Sequence, residues 1–274
     1  GQVGAIALAA ILALVLARRY LPTFDVKPVP MYRPLLAFSI PLIAMQGIGF
    51  LNTNVDIYMV GYYLPASALG TYNIALQLGN VVTAILSTAG FLLPPMLTRL
   101  QVNEQYTEMR RTYQVLTKWF VVLILPVFVV LFFAPKLVIG TFFGANYVTG
   151  AFALQILLVG KLFAIVMGLN TQALIALGRN KIVTLVLLCQ TVVNVVVNLL
   201  LIPVIGFEGA AVAMALSIVV GDVLGVGILY RSFGVHPFTR AVLTPVAVVG
   251  ALATASYGLL SWAGLPATAV VLVV

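Results

Sequence analysis

Six acidic residues, one histidine and one cysteine are all that 274 residues offer for acid-base, nucleophilic or thiolate chemistry. Cys189 stands alone, so the chain can form no internal disulfide and no metal cluster of thiolates. His236 lies beside Pro237 in a basic stretch and reads as an ordinary loop histidine. No GxSxG elbow, HExxH helix, P-loop or GxGxxG turn occurs. Only Asp56 and Asp222 lie inside apolar runs, which is too little for a carboxylate pair of the glycosidase kind. These residues predict no catalytic group, no metal, no cofactor and no enzyme. The polar residues that do stand in apolar surroundings are of another type. Lys161 is a lone cation there, and Asp56 and Asp222 are lone carboxylates suited to ion coupling or charge pairing. Asn194 and Asn198 are four apart and share one helical face. Interhelical hydrogen bonds worth about 0.6–2 kcal/mol are their simplest role. Asn52, Asn54 and Asp56 cluster near the end of another run, where capping and hydration compete with ion binding as explanations.

The elements that must position these groups are membrane helices. Charged residues make up 7% of the chain and hydrophobic ones 63%, with a mean hydropathy of +1.18. A soluble domain carries about 25% charged residues. Apolar runs fall at 1–17, 35–60, 70–98, 114–134, 150–177, 182–202, 209–230, 241–263 and 267–274. They are apolar all round, which argues against the alternating strands of a membrane barrel. The expected fold is all-α, a polytopic membrane bundle of about nine transmembrane segments, seven whole and the outer two truncated. Bends are expected at Pro41, Pro94, Pro95 and Pro126. The chain opens at Gly1 and stops at Val274 inside apolar runs, and both ends read as cut. No low-complexity linker or internal repeat is visible.

The net charge of +8 does not point to nucleic acid, because the basic residues are spaced between apolar runs. Twelve of the fourteen fall in one alternate set of loops and only Lys136 in the other, at 61–69, 135–149, 203–208 and 264–266. The positive-inside rule makes the first set cytoplasmic. The polar stretch 99–113 is expected to form a cytoplasmic elbow helix, with Glu104 and Glu108 at helical spacing from Arg111. Gly221 and Gly225, flanking Asp222, read as a close-packing pattern. Tyr62, Tyr63, Tyr113, Trp119 and Trp262 sit near run ends as interfacial anchors.

Lys161, the remaining cation, lies about 11 residues into its run, about 16 Å deep at 1.5 Å per residue. Asp222 lies about 20 Å deep by the same reckoning. An isolated charge near the midplane costs roughly 2.5–3.5 kcal/mol. The two readings of Lys161 are a structural bridge to Asp222 and a cation that binds phosphate.

Three segments in order carry a resemblance. LLAFSIPLIAMQGIGFLNTNVDIYMVGYYLPASALGTYNIALQL (35–78) has a Ser39-Ile40-Pro41 turn, Asp56, and Gly70 with Tyr72. FFGANYVTGAFALQIL (142–157) has Phe-Gly and Tyr147. ALGRNKIVTLVLLCQTVVNVVVNLLLIPVIGFEGAAVAMALS (176–217) has Gly178-Arg179, the two asparagines, Leu201-Ile202-Pro203, Gly206 and Gly209-Ala210-Ala211. Over about 180 residues the chain resembles the polysaccharide flippases of the superfamily that includes lipid II flippases and multidrug extruders of the MATE type. The resemblance implies that 1–34 is the end of a first lobe with a cytoplasmic linker, 35–230 a six-helix second lobe, and 231–274 the start of an extra C-terminal helix pair. It implies a multi-pass protein of the cytoplasmic membrane that flips a lipid-linked oligosaccharide. The partners would be that glycan, membrane lipid and an N-terminal lobe absent from this sequence, with no nucleic acid. A drug or cation antiporter of the same superfamily is the alternative. Buried cations would favour the first and buried carboxylates the second.

Overall fold

The computed structural model describes residues 12, 15, 16 and 32–262. The chain divides into two units, Gly1–Ile43 and Ala44–Val274. The described part of the first is helical, and the runs at 1–17 and 267–274 lie largely or wholly outside the described residues.

Among the described residues the structure is helical, with no strand. In chain order the helices are α1 (Tyr32–Tyr63), α2 (Ala66–Val102), α3 (Tyr106–Phe133), α4 (Pro135–Phe142), a 3-10 turn (Ala145–Gly150), α5 (Ala151–Met167), α6 (Asn170–Ala176), α7 (Asn180–Ile205), α8 (Phe207–Phe233) and α9 (Arg240–Trp262). Four segments, Tyr106–Phe133, Ala145–Met167, Asn180–Ile205 and Phe207–Phe233, are long and apolar enough to cross a membrane. Large apolar side chains such as Leu123, Phe152, Leu185 and Leu200 remain exposed on them, as lipid contact requires. The protein is an all-α, multi-pass membrane bundle. Helices continue through Pro94, Pro95, Pro126, Pro203 and Pro245.

The second unit is held by α8 packing on α5 and α7, α5 on α2 and α3, and α9 on α3. Gly160 makes the α5–α8 contact possible: a Cβ there would stand 2.8 Å from the Ala215 Cα. One core cluster joins α2, α3 and α5 through residues such as Tyr72, Ile124 and Leu154. A second joins Leu97, Met109, Tyr113, Leu174 and Leu229.

Three local expectations are corrected. The stretch 99–113 is not one elbow helix. α2 continues to Val102, a turn follows at 103–105, and α3 begins at Tyr106. Amides of Asn103 and Gln105 bond back to the carbonyls of Arg99 and Leu100, which ends one helix as the next begins. The loop at 135–149 is largely helical, because Pro135 occupies a first-turn position where its missing N–H costs nothing. The run 150–177 is two helices. Gly168 adopts φ +78°, a left-handed conformation that glycine takes without steric cost, and breaks it.

The basic connections gather at one end of the unit. The Thr98 hydroxyl donates to the Ala176 carbonyl at 3.1 Å, and Gln114 Nε2 donates to the His236 carbonyl at 3.1 Å. Arg179 lies 5.7 Å from the Phe233 ring. Gly234, left-handed at φ +66°, terminates α8 at that end, its N–H bonded to the Tyr230 carbonyl. Tyr62 and Trp119 are exposed, as anchors should be, whereas Tyr113 is buried and belongs to the core. The side chain of Trp262 lies outside the described residues.

Candidate functional site

Lys161 is 3% exposed although it carries a charge. Its stem crosses α2 at Gly79, where a Cβ would come 3.0 Å from the Lys161 Cε. Glycine therefore supplies the groove in which the lysine lies. Its Nζ donates to Asn80 Oδ1 at 2.9 Å. Asn80 is exposed, so the buried cation ends at a polar group on the surface of α2. Asn73, Gln77 and Asn80 recur at spacings of four and three and form a stripe of amides on one face of that helix. Gln77 Nε2 approaches Asn73 Oδ1 at 3.4 Å. Amides on a membrane helix need protein partners or water. Gln77 and Asn80 of this stripe are exposed and Asn73 is half-buried.

Asp56 is fully buried on α1 and accepts a short hydrogen bond from the Tyr72 hydroxyl, also fully buried. Its second oxygen, Oδ1, has no hydrogen-bond partner. Among the described residues no ion pair joins Asp56 and Lys161. The cluster is thus a carboxylate and an ammonium held apart, one by a tyrosine and the other by an asparagine.

The expected bridge between Lys161 and Asp222 is not formed. Asp222 Oδ1 accepts from Asn170 Nδ2 at 2.8 Å, and its Oδ2 has no partner. The reason is the break at Gly168. Lys161 lies before it and faces α2, while Asn170 lies after it and reaches α8. Gly225 leaves the space that Asn170 occupies, since a Cβ there would collide with the asparagine side chain. The carbonyl of Met167, beside the break, accepts from the Tyr113 hydroxyl at 2.9 Å.

Of the remaining amides, Asn52 and Asn194 reach neighbouring helices, while Asn198 bonds within its own helix. Asn52 Nδ2 donates to Gln190 Oε1 at 3.1 Å and ties α1 to α7. Asn198 Nδ2 donates to Asn194 Oδ1 at 2.6 Å, and Asn194 Nδ2 approaches Ser217 Oγ of α8 at 3.4 Å. All three of these last residues are buried. His236 sits at the basic end, where burial and the nearby Arg110 push its imidazole below the ordinary range and so favour the neutral ring.

Sequence reasoning reached Lys161, Asp56, Asp222, Asn52, Asn194 and Asn198 because each is polar within an apolar run. Their partners Asn80, Asn170 and Gln190 were not singled out, and Tyr72 entered only as part of the resemblance, with no role attached to it. The amide spacing at 73, 77 and 80 carried the signal for the α2 stripe.

Residues 3–152 match the family described as polysaccharide biosynthesis protein. The chain is 25% identical over 215 residues to an uncharacterized membrane protein of Methanocaldococcus jannaschii, covering 76% of this chain and 42% of that protein. It is 27% identical over 178 residues to a probable low-salt glycan biosynthesis flippase of Haloferax volcanii, covering 64% of this chain and 37% of the relative. The chain thus spans about two fifths of the length of these curated relatives. This bundle of membrane helices, which buries Lys161, Asp56, Asn194 and Asn198 and is matched over more than half of its length, belongs to the polysaccharide biosynthesis protein family, in accord with the resemblance its sequence carries.

Proposed function

We propose that this chain is one wall of a flippase that carries a lipid-linked oligosaccharide, with its phosphate or pyrophosphate, across the cytoplasmic membrane. In this reading 35–230 is a six-helix lobe, 1–34 links it to a preceding lobe, and 231–274 begins an additional helix pair. The two lobes rock about a cleft between them, as in transporters built from paired bundles. A sugar-phosphate head cannot cross hydrocarbon unaided, because each unsatisfied polar group costs several kcal/mol. The observation that carries the reading is the buried Lys161, which reaches the exposed Asn80 on the amide stripe of α2. A cation behind a row of amides can exchange its Asn80 bond for a phosphate oxygen, and the amides can satisfy sugar hydroxyls. No covalent step is required of the protein.

The test uses the full-length protein in vesicles with a fluorescent lipid-linked oligosaccharide and a membrane-impermeant quencher. Lys161→Ala should abolish head-group translocation while the protein still accumulates, Lys161→Arg should retain part of it, and Asp222→Asn should cost less. Normal translocation by Lys161→Ala discards the phosphate role. A second reading, export of organic cations, is favoured by the unpartnered carboxylate oxygens of Asp56 and Asp222. Extrusion of a cationic dye that is lost in Asp56→Asn, with no glycan translocation, would replace the first reading by the second.

A further inference from the structure

The basic end of the bundle holds a cavity that neither transport reading uses. It measures about 420 Å³ and is walled by Met167, Val223, Val226, Gly227, Tyr230 and Phe238. The wall is otherwise apolar, His236 also lines it, and its ring meets Tyr230 edge to face and stacks on Phe238. The Tyr230 and His236 centroids are 5.6 Å apart, and those of His236 and Phe238 are 6.2 Å apart. Tyr230 and Phe238 are both exposed. Apolar depth rimmed by amphipathic rings is the arrangement proteins present at the headgroup level of a bilayer.

Two cations stand next to residues of that cavity in the chain: Arg110 lies one helical turn before Gln114, whose Nε2 donates to the His236 carbonyl at 3.1 Å, and Arg231 follows the lining residue Tyr230. Both are exposed, and Arg110 acts electrostatically on His236. The nearest carboxylate by sequence is Asp222, beside Val223, and it is engaged by Asn170. Glu108 lies 3.9 Å from Arg111 and so leaves Arg110 unneutralised by that pair. The site therefore offers an apolar slot beneath a positively charged rim.

We propose that this cavity binds one acyl chain of an anionic glycerophospholipid of the surrounding bilayer, with Arg110 and Arg231 holding its phosphate. A lipid-linked glycan has a similar tail and phosphate, but no wall residue of the cavity belongs to α2, which carries the amide stripe. The bilayer lipid is thus the occupant that the position favours.

The experiment compares dioleoylphosphatidylglycerol with dioleoylphosphatidylcholine, which share their acyl chains and differ in headgroup charge. Full-length protein is purified in detergent, incubated with each lipid, and read by native mass spectrometry. Phosphatidylglycerol should be retained in preference, by roughly five-fold for each cation engaged. The double variant Arg110→Gln/Arg231→Gln should lose that preference. Gly227→Leu should lose bound lipid of both kinds, because its side chain fills the slot. A Cβ at Gly227 meets no atom within 4 Å, so this variant should keep its fold, as circular dichroism will check. Independently of that variant, Tyr230→Trp fluorescence should be quenched more by acyl-brominated phosphatidylglycerol than by brominated phosphatidylcholine. Equal retention of the two lipids, equal quenching by them, or undiminished retention by folded Gly227→Leu overturns the proposal. So does displacement of phosphatidylglycerol by equimolar polyprenyl phosphate, which would make the cavity a site for the tail of the transported lipid.

Discussion

The buried carboxylate of Asp56 has one hydrogen-bond donor, the Tyr72 hydroxyl, and an oxygen with none. Removing that donor leaves a buried polar group unsatisfied, a loss of about 1–3 kcal/mol and more where the group is charged. Tyr72→Phe in the full-length protein should therefore lower its melting temperature in detergent. Asp56→Asn, which keeps an acceptor for Tyr72 and discards the charge, should be tolerated better. If Tyr72→Phe melts with the wild type, the bond contributes nothing. Sequence reading identified Asp56 by its apolar surroundings, but its partner lies 16 residues away on another helix. Tyrosine is common near membrane helix ends for unrelated reasons, so composition could not single out Tyr72.

At the scale of the helix, the break between α5 and α6 governs which polar groups meet. Gly168 is held at φ +78°, and a Cβ there would stand 2.7 Å from the Thr117 hydroxyl and 2.8 Å from that of Tyr113. Gly168→Ala combines backbone strain with collision and should cost roughly 1–3 kcal/mol or more. Tyr113→Phe strands the Met167 carbonyl and should cost about 1–3 kcal/mol. The two changes act on one turn, so their combination should fall short of the sum of the single losses, measured by chemical unfolding in detergent. Strict additivity would mean that Tyr113 does not support the break. The uninterrupted apolar run 150–177 reads as one span, because hydropathy does not register a single glycine in the left-handed region.

For the whole molecule, the charge asymmetry predicts an orientation that labelling can test. In a full-length background with Cys189→Ser, Glu104→Cys should react only from the cytoplasmic side and Asn146→Cys only from outside. Both positions are exposed, so access is not limited by burial. The opposite pattern would invert the topology. The chain of residues 1–274 by itself should give no head-group translocation above empty vesicles, since it supplies one wall of the proposed cleft. Robust flipping by this chain alone would refute the two-lobe reading.

Composition and spacing by themselves determined that the protein is helical and membrane-embedded and that its basic connections alternate with nearly uncharged ones. Those properties follow from hydropathy and chain-local charge, which the linear order records directly. The three quoted segments likewise identified the family. The partners of the buried charges were decided only by the tertiary structure. Lys161 and Asp222 lie at similar computed depths and looked suited to each other, yet each is bonded to an amide instead, at Asn80 and at Asn170. Depth along a helix is a one-dimensional quantity, whereas pairing depends on which way each side chain points around its axis. The rotation of α5 over Gly79 and its interruption at Gly168 set those directions, and both are properties of packed helices.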